Sequence, residues 1–209
     1  MKKLFLFIII SVAFVISAHA TDGVTRNFTV YKQFKPAIIQ LVNGKTLTQP
    51  LANIFLRNST LLYVSGTHTM QANMQNVASV DFDDRHYVKI DTLLAYCVDS
   101  VGSNKLYCAT MIDVDAYRSL LVNNKQLTNI SFGDVIQTST IDIEEEKEID
   151  LPTIDKFFYL YNGKFVPVHE RNIIRVIPKD KRHIYRSVIS LPDFKWTDKD
   201  SLIQLLKVL

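Results

Sequence analysis

Residues 37–44 have the sequence AIIQLVNG, a short apolar run that ends in an Asn-Gly pair. Asn43-Gly44 is the pair that best supplies two positive φ angles to a tight turn, so the sequence predicts a hairpin at Val42 to Lys45. Further short apolar runs, separated by polar or turn-forming residues, are 54–56, 60–64, 77–82, 87–90, 92–98 and 105–111. Their spacing of roughly ten residues per strand and turn favours an antiparallel, strand-rich region arranged as a meander, a half-open sandwich or a small barrel.

The C-terminal part repeats this turn pattern and then changes its period. Phe157 to Tyr161 and Lys164 to Val168 flank Asn162-Gly163, which predicts a second hairpin. Two helices are expected next, separated by Pro178, which lacks a backbone donor and restricts the residue before it. Their apolar residues at helical spacing are Ile173, Ile174 and Ile177, and then Ile184, Tyr185, Val188 and Ile189.

Two further helices are expected from their caps. One covers Asp113 to Asn123, with Asp113 or Asp115 as its N-cap. The other starts at Thr197, the expected cap, followed by acidic residues that suit a helix N-terminus. Its apolar residues are Leu202, Ile203, Leu205 and Leu206.

The first twenty residues have the pattern of an export signal. Lys2 and Lys3 precede an apolar run from Leu4 to Ile16, and Ala18-His19-Ala20 has the small-x-small form that signal peptidase accepts. We expect cleavage after residue 20, so that the mature chain begins at Thr21. No second apolar run approaches the ~20 residues of a membrane span. The sequence therefore predicts an exported protein without a transmembrane span, located in the periplasm, at the cell surface or outside the cell.

The charge distribution divides the mature chain into three parts. The whole sequence has 209 residues, a formal net charge of +3 and 22% charged residues, which argues against a disordered chain. Residues 137–153 contain six acidic residues and one basic residue, and such dense like charge buries little surface. We therefore expect an α+β protein with a strand-rich domain at 21–136, an acidic connector at 137–153, and a hairpin with two or three helices at 154–209.

The order of these features resembles that of uncharacterised exported proteins of Gram-negative bacteria, over most of the mature chain. The resemblance implies export and the two-part layout, and it implies no catalytic residues. The features that carry it are the hairpin at 39–45, Leu106-Tyr107 after a tight turn, the aromatic hairpin at 157–168, the Pro-Lys-Asp-Lys helix start at 178–181, Phe194-Lys195-Trp196, and Asp200-Ser201-Leu202 leading to Leu205-Leu206.

Cys97 and Cys108 are the two cysteines of the chain. If Gly102-Ser103 forms a two-residue loop, the cysteines lie directly opposite each other, and an exported protein permits the structural disulfide that this register favours. The alternatives are two free buried thiols, or a redox or metal pair. The last is disfavoured because the spacing is not Cys-x-x-Cys and no histidine neighbours either sulfur.

The densest mixture of carboxylate and imidazole groups covers residues 81–86, with Asp91 close by. A polar turn explains it best, since a calcium loop would need oxygens at alternate positions and a glycine to turn the chain. The sequence contains no HExxH, Gly-x-Ser-x-Gly or glycine-rich phosphate motif. We expect no cofactor and no metal site. A hydrolase with a dispersed site, in which Asp83, Asp84 or Asp91 meets a histidine, stays open.

A set of basic residues recurs every three or four positions in the C-terminal part, and we call this set the basic stripe. On a continuous helix it would follow one face and could bind an anionic lipid headgroup or an acidic glycan. Aromatic residues are too sparse within it for a single-strand nucleic-acid binder, so no nucleic acid is expected. The alternative is an ordinary solvated face, shielded by the acidic connector. The stripe consists of Arg171, Arg175, Lys179, Arg182 and Arg186.

These observations predict an exported envelope or surface-associated protein that acts through interactions and not through catalysis. Its partner would be another envelope protein or an anionic surface. A binder of an anionic ligand through the basic stripe is the alternative, and a hydrolase is the third hypothesis.

Overall fold

A computed structural model describes residues 28–123 and 151–209. In these ranges, ten strands form one antiparallel sheet in the order β10-β9-β8-β7-β6-β5-β1-β2-β3-β4. The strand-rich antiparallel architecture is confirmed, and β4 is an addition that the sequence did not predict. The strands are β1 (Lys35–Leu41), β2 (Thr46–Phe55), β3 (Thr60–Ser65), β4 (His68–Gln71), β5 (Val77–Asp81), β6 (His86–Ile90), β7 (Leu93–Val101), β8 (Asn104–Ile112), β9 (Thr153–Tyr161) and β10 (Lys164–Pro167).

The two Asn-Gly turns differ in geometry, although both predicted hairpins are confirmed. In the β9–β10 turn, Asn162 and Gly163 both have positive φ angles, 50° and 75°, as a two-residue loop requires. In the β1–β2 turn only Gly44 does, with φ 81°. There the amide of Gly44 donates to the oxygen of Leu41 and the amide of Leu41 donates to the oxygen of Lys45. The first loop is therefore one residue longer than predicted.

The sheet bends back on itself at the β2–β3 turn. The amide of Leu94 in β7 donates to the backbone oxygen of Ser59, and the hydroxyl of Ser59 donates to the oxygen of Leu94, both at 2.7 Å. Because β3 and β7 lie far apart in the strand order, these bonds require a strong curl of the sheet. Ser59 is buried and has a positive φ of 49°, so the junction is locally strained.

Four helices accompany the sheet within residues 28–123 and 151–209: α1 (Val114–Asn123), α2 (Glu170–Val176), α3 (Arg182–Ile189) and α4 (Lys199–Leu206), with a 3-10 turn at Lys179–Lys181. Asp113 caps α1, as predicted, since its carboxylate accepts from the amides at 115 and 116. The predicted cap of α4 is wrong by one residue. Asp198, and not Thr197, accepts from the amide of Ser201 at 2.8 Å, because a carboxylate both fills the cap and complements the helix dipole.

Buried side chains form separate clusters. In one, Leu106 and Tyr159 of the sheet pack against residues of α2, α3 and α4 such as Ile173 and Leu202. A second cluster lies within the curled part of the sheet, where Ile39, Ile54, Leu61, Val80 and Leu94 meet. Tyr96 contacts both of these clusters. A third consists of Ile90, Ala95, Tyr107, Ala109 and Phe158.

The sheet continues across the predicted connector. β9 begins at Thr153 and pairs with β8 at eight positions, so the C-terminal hairpin extends the same sheet as the N-terminal strands. The leader and residues 137–150 of the predicted acidic connector lie outside the described residues. None of the helices in the described part of the chain has both the length and the hydropathy that a membrane crossing needs.

Candidate functional site

The acidic stretch at 81–86 forms the turn between β5 and β6. The amide of Phe82 donates to the oxygen of Arg85 and closes the turn. Lys35 of β1 reaches across to it, with its ammonium 2.5 Å from a carboxylate oxygen of both Asp83 and Asp84. Burial opposes the ionisation of Asp84, but hydrogen bonds from Lys35 and Tyr31 outweigh it and hold the pKa of this carboxyl below its ordinary value. Both carboxylates are therefore engaged in holding the turn.

A row of aromatic rings runs from this turn to the middle of the sheet, and we call it the aromatic row. The ring centroids of Tyr31 and Phe82 are 4.9 Å apart, those of Phe82 and Tyr87 5.8 Å, and those of Tyr87 and Tyr96 5.9 Å. The guanidinium of Arg85 lies 4.6 Å from the centroid of the Tyr96 ring, and the ammonium of Lys35 lies over Tyr31. Such contacts stabilise a turn against a sheet, and they need no ligand.

The dispersed acidic and histidine site is not assembled in the described residues. There, no hydrogen bond or ion pair joins Asp83, Asp84 or Asp91 to a histidine. The histidine of the turn, His86, contacts Asp81 instead. Within residues 28–123 and 151–209, no group of three or more potential metal-binding side chains converges.

Cys97 and Cys108 are free thiols, so the predicted disulfide is wrong. The β7–β8 pairing follows the predicted register at first and then shifts between Cys97 and Asp99, which pairs Cys97 with Tyr107 and Cys108 with Tyr96. This bulge places the two sulfurs on opposite faces of the sheet, and it removes a shared redox or metal site as well. Cys97 is exposed, whereas burial raises the pKa of Cys108 to about 12.

The basic stripe does not lie on one continuous helix. Arg171 and Arg175 belong to α2, Lys179 to the 3-10 turn, and Arg182 and Arg186 to α3. Arg182 is half-buried and donates to the backbone oxygen at 174, while the other four side chains are exposed. None of the five forms an ion pair with a carboxylate of the described residues. The positions and exposure of these five side chains fit both a solvated face and an anion-binding surface.

The β1–β2 hairpin exposes several large apolar side chains. Val42 at its tip is 62% exposed, Ile38 46% and Leu47 45%. Next to the tip lies a shallow pocket of about 370 Å³, lined by Leu41, Val42, Asn43, Gln75 and Asn76. The sequence interpretation missed both this pocket and the aromatic row. For the pocket a signal was present, because residues 71–76, QANMQN, contain four amide side chains.

No protein-family model, no curated protein and no solved structure matches the chain.

Proposed function

We propose that the protein is an exported, non-enzymatic envelope or surface-associated protein that acts through binding, and that the β1–β2 hairpin is its contact surface. The observation that carries the proposal is the exposure of Ile38, Val42 and Leu47 on a single hairpin. Ile38 lies opposite Thr48 and Leu47 lies opposite Ile39, so the exposed apolar side chains lie on both faces of the hairpin, and a partner that adds to the hairpin would cover apolar surface on each face. The predicted leader supports export.

The backbone of the hairpin supports the same proposal. β2 pairs with β1 from Thr46 onward, but with β3 only from Ala52 to Phe55. Because Leu41 and Lys45 are hydrogen-bonded to each other, the alternation of antiparallel pairs directs the amides of Thr46 and Thr48 away from β1. Open edges usually carry charges or bulges that prevent pairing with another chain. Residues 46–49 carry no charge, which favours an edge that accepts a partner.

We also propose that the protein belongs to the α+β class and that part of its sheet forms a small barrel. The three C-terminal helices pack on one part of an antiparallel sheet, which supports the α+β class. Of the three arrangements expected for the strands, the bonds between Ser59 and Leu94 favour a small barrel made of β1–β3 and β5–β7.

Site-specific cross-linking in the native host tests the proposal. A photoreactive residue in place of Val42 should yield a discrete cross-linked product in the envelope fraction, and a Leu47→Arg substitution should remove it. Leu191, 50% exposed and outside the sheet, is the matched control position and should give no such product. Equal cross-linking from both positions, or retention of the full-length chain in the cytoplasm, would contradict the proposal.

An anion-binding function of the basic stripe is a second candidate. It is favoured by the four exposed cations that have no carboxylate partner in the described residues. A lipid headgroup or an acidic glycan is the ligand chemistry that such a surface fits.

A further inference from the structure

The pocket beside the hairpin tip is created by irregularities in two neighbouring elements. Gln40 pairs with Ser79 and Leu41 pairs with Val77, so Ala78 is an extra residue in β5 and the strand bulges there. The segment before β5 is thereby brought against the tip, where the amide of Val42 donates to the oxygen of Asn76 at 2.9 Å. β-Bulges are enriched beside functional sites, where they redirect side chains.

The wall of the pocket formed by Gln75 and Asn76 is held in place by hydrogen bonds from neighbouring residues of the chain. The Asn73 side chain accepts from the amide of Gln75, and the Asn73 backbone oxygen accepts from the amide of Asn76. The ammonium of Lys89 donates to the backbone oxygens of Met74 and Gln75 at 3.0 and 3.4 Å. A wall fixed in this way is ordered before a ligand arrives, which reduces the entropy lost on binding.

The side chains that line the pocket are neutral and polar beside a small apolar surface. Asn43, Gln75 and Asn76 are exposed, and no hydrogen bond within the described residues engages the side-chain amides of Gln75 and Asn76. The oxygen of Asn43 accepts from the amide of Lys45, which leaves its NH2 group available. Each amide side chain offers both donors and an acceptor, and Leu41 and Val42 add apolar contact.

We propose that this pocket binds one unit of an uncharged saccharide. Vicinal hydroxyls match amide side chains because each hydroxyl also donates and accepts. The residues that line the pocket include no cation that could pair with an anion and no carboxylate that could pair with a cation. An extended peptide would need an unpaired strand edge, but β1 is paired on both sides, with β2 and with β5. The volume of about 370 Å³ lies near the lower end of the range for ligand pockets.

The proposal extends the proposed function, on which it rests, because it gives a class of ligand for the pocket beside the hairpin tip. The test uses mature protein from residue 21 and a panel of neutral mono- and oligosaccharides of glucose, galactose, mannose and N-acetylglucosamine. Glucuronic acid serves as the charged comparison. Saturation-transfer NMR identifies binders, and titration gives the dissociation constant.

At least one neutral saccharide should bind saturably, with a dissociation constant up to about 10 mM. Asn76→Ala and Gln75→Ala should each weaken this binding about tenfold, because each removes hydrogen bonds to the ligand. Gln204→Ala, which removes an exposed amide on α4, should leave it unchanged. Circular dichroism of each variant confirms that it is folded.

The absence of saturable binding across the panel overturns the proposal, as does binding that neither pocket substitution weakens. Binding of glucuronic acid alone also overturns it, because the ligand would then be an anion. Cross-linking at Val42 separates this failure from failure of the proposed function. A specific product at Val42 without saccharide binding would leave the function standing and end the saccharide proposal.

Discussion

Replacing Ser59 tests the junction that curls the sheet. Ser59 is 1% exposed, and its hydroxyl donates to the oxygen of Leu94 at 2.7 Å. In Ser59→Ala this oxygen loses its hydroxyl partner in a buried position, which should lower the free energy of unfolding by about 1–3 kcal/mol. Ser59→Gly loses the same bond but relieves the positive φ of 49°, a strain of about 1–2 kcal/mol for a residue with a Cβ.

We therefore expect Ser59→Gly to be less destabilised than Ser59→Ala by about 1 kcal/mol, because the relief of strain exceeds the added backbone entropy of the unfolded chain. Urea unfolding of the mature protein measures both, with far-ultraviolet circular dichroism and the fluorescence of Trp196 as probes. Trp196 is the single tryptophan and packs in the helical cluster, so coincident transitions show that this cluster and the sheet unfold together. A Ser59→Ala variant as stable as wild type, or a Ser59→Gly variant less stable than Ser59→Ala, would refute this account of the junction.

Three further predictions address the thiols, the β5–β6 turn and the basic stripe. Without prior reduction, a thiol reagent should label Cys97 in the folded protein and Cys108 only after denaturation. If neither cysteine were labelled in denaturant, the two would be joined in a disulfide. The lowered pKa of Asp84 means that its contribution to stability is present above the unfolded carboxyl pKa and is lost as the pH falls through the folded value. The Lys35→Met variant should therefore be less stable than wild type at neutral pH and should lose less stability than wild type in acid. Parallel profiles of stability against pH for the two proteins would contradict this. Gln in place of the four exposed cations of the basic stripe, Arg171, Arg175, Lys179 and Arg186, should abolish any salt-sensitive binding to anionic vesicles or acidic polysaccharide and leave folding intact. Equal, negligible binding by the wild-type and substituted proteins would contradict the anion-binding candidate.

Local patterns predicted the elements of this fold well, because they depend on neighbouring residues. Pro178 separates α2 from α3 as expected, and Asn162-Gly163 forms the expected turn. The curl of the sheet depends on a hydrogen bond between residues far apart in the sequence, Ser59 and Leu94, which no local pattern contains. The curl of the sheet could therefore not be predicted from the sequence.

The cysteine register shows a second limit. Counting residues outward from Gly102 predicts the pairs correctly as far as Asp99, opposite Leu106. From Asp99 towards the N-terminus of β7, the bulge shifts the register by one residue, which moves Cys97 to the other face of the sheet. The two cysteines that were predicted to face each other are therefore separate thiols. The pocket was missed for a related reason, since it combines the hairpin tip with residues 75 and 76, which the strand order brings together.

Amide hydrogen exchange of the mature protein, free and in the isolated envelope of its native host, tests the proposed contact surface most directly. In the free protein, the amides of Thr46 and Thr48 should exchange rapidly because they form no bond to β1. In the envelope, we predict slowed exchange across residues 38–49, centred on these two amides. Unchanged exchange there, with protection confined to α2 and α3, would contradict the assignment of the β1–β2 hairpin as the contact surface.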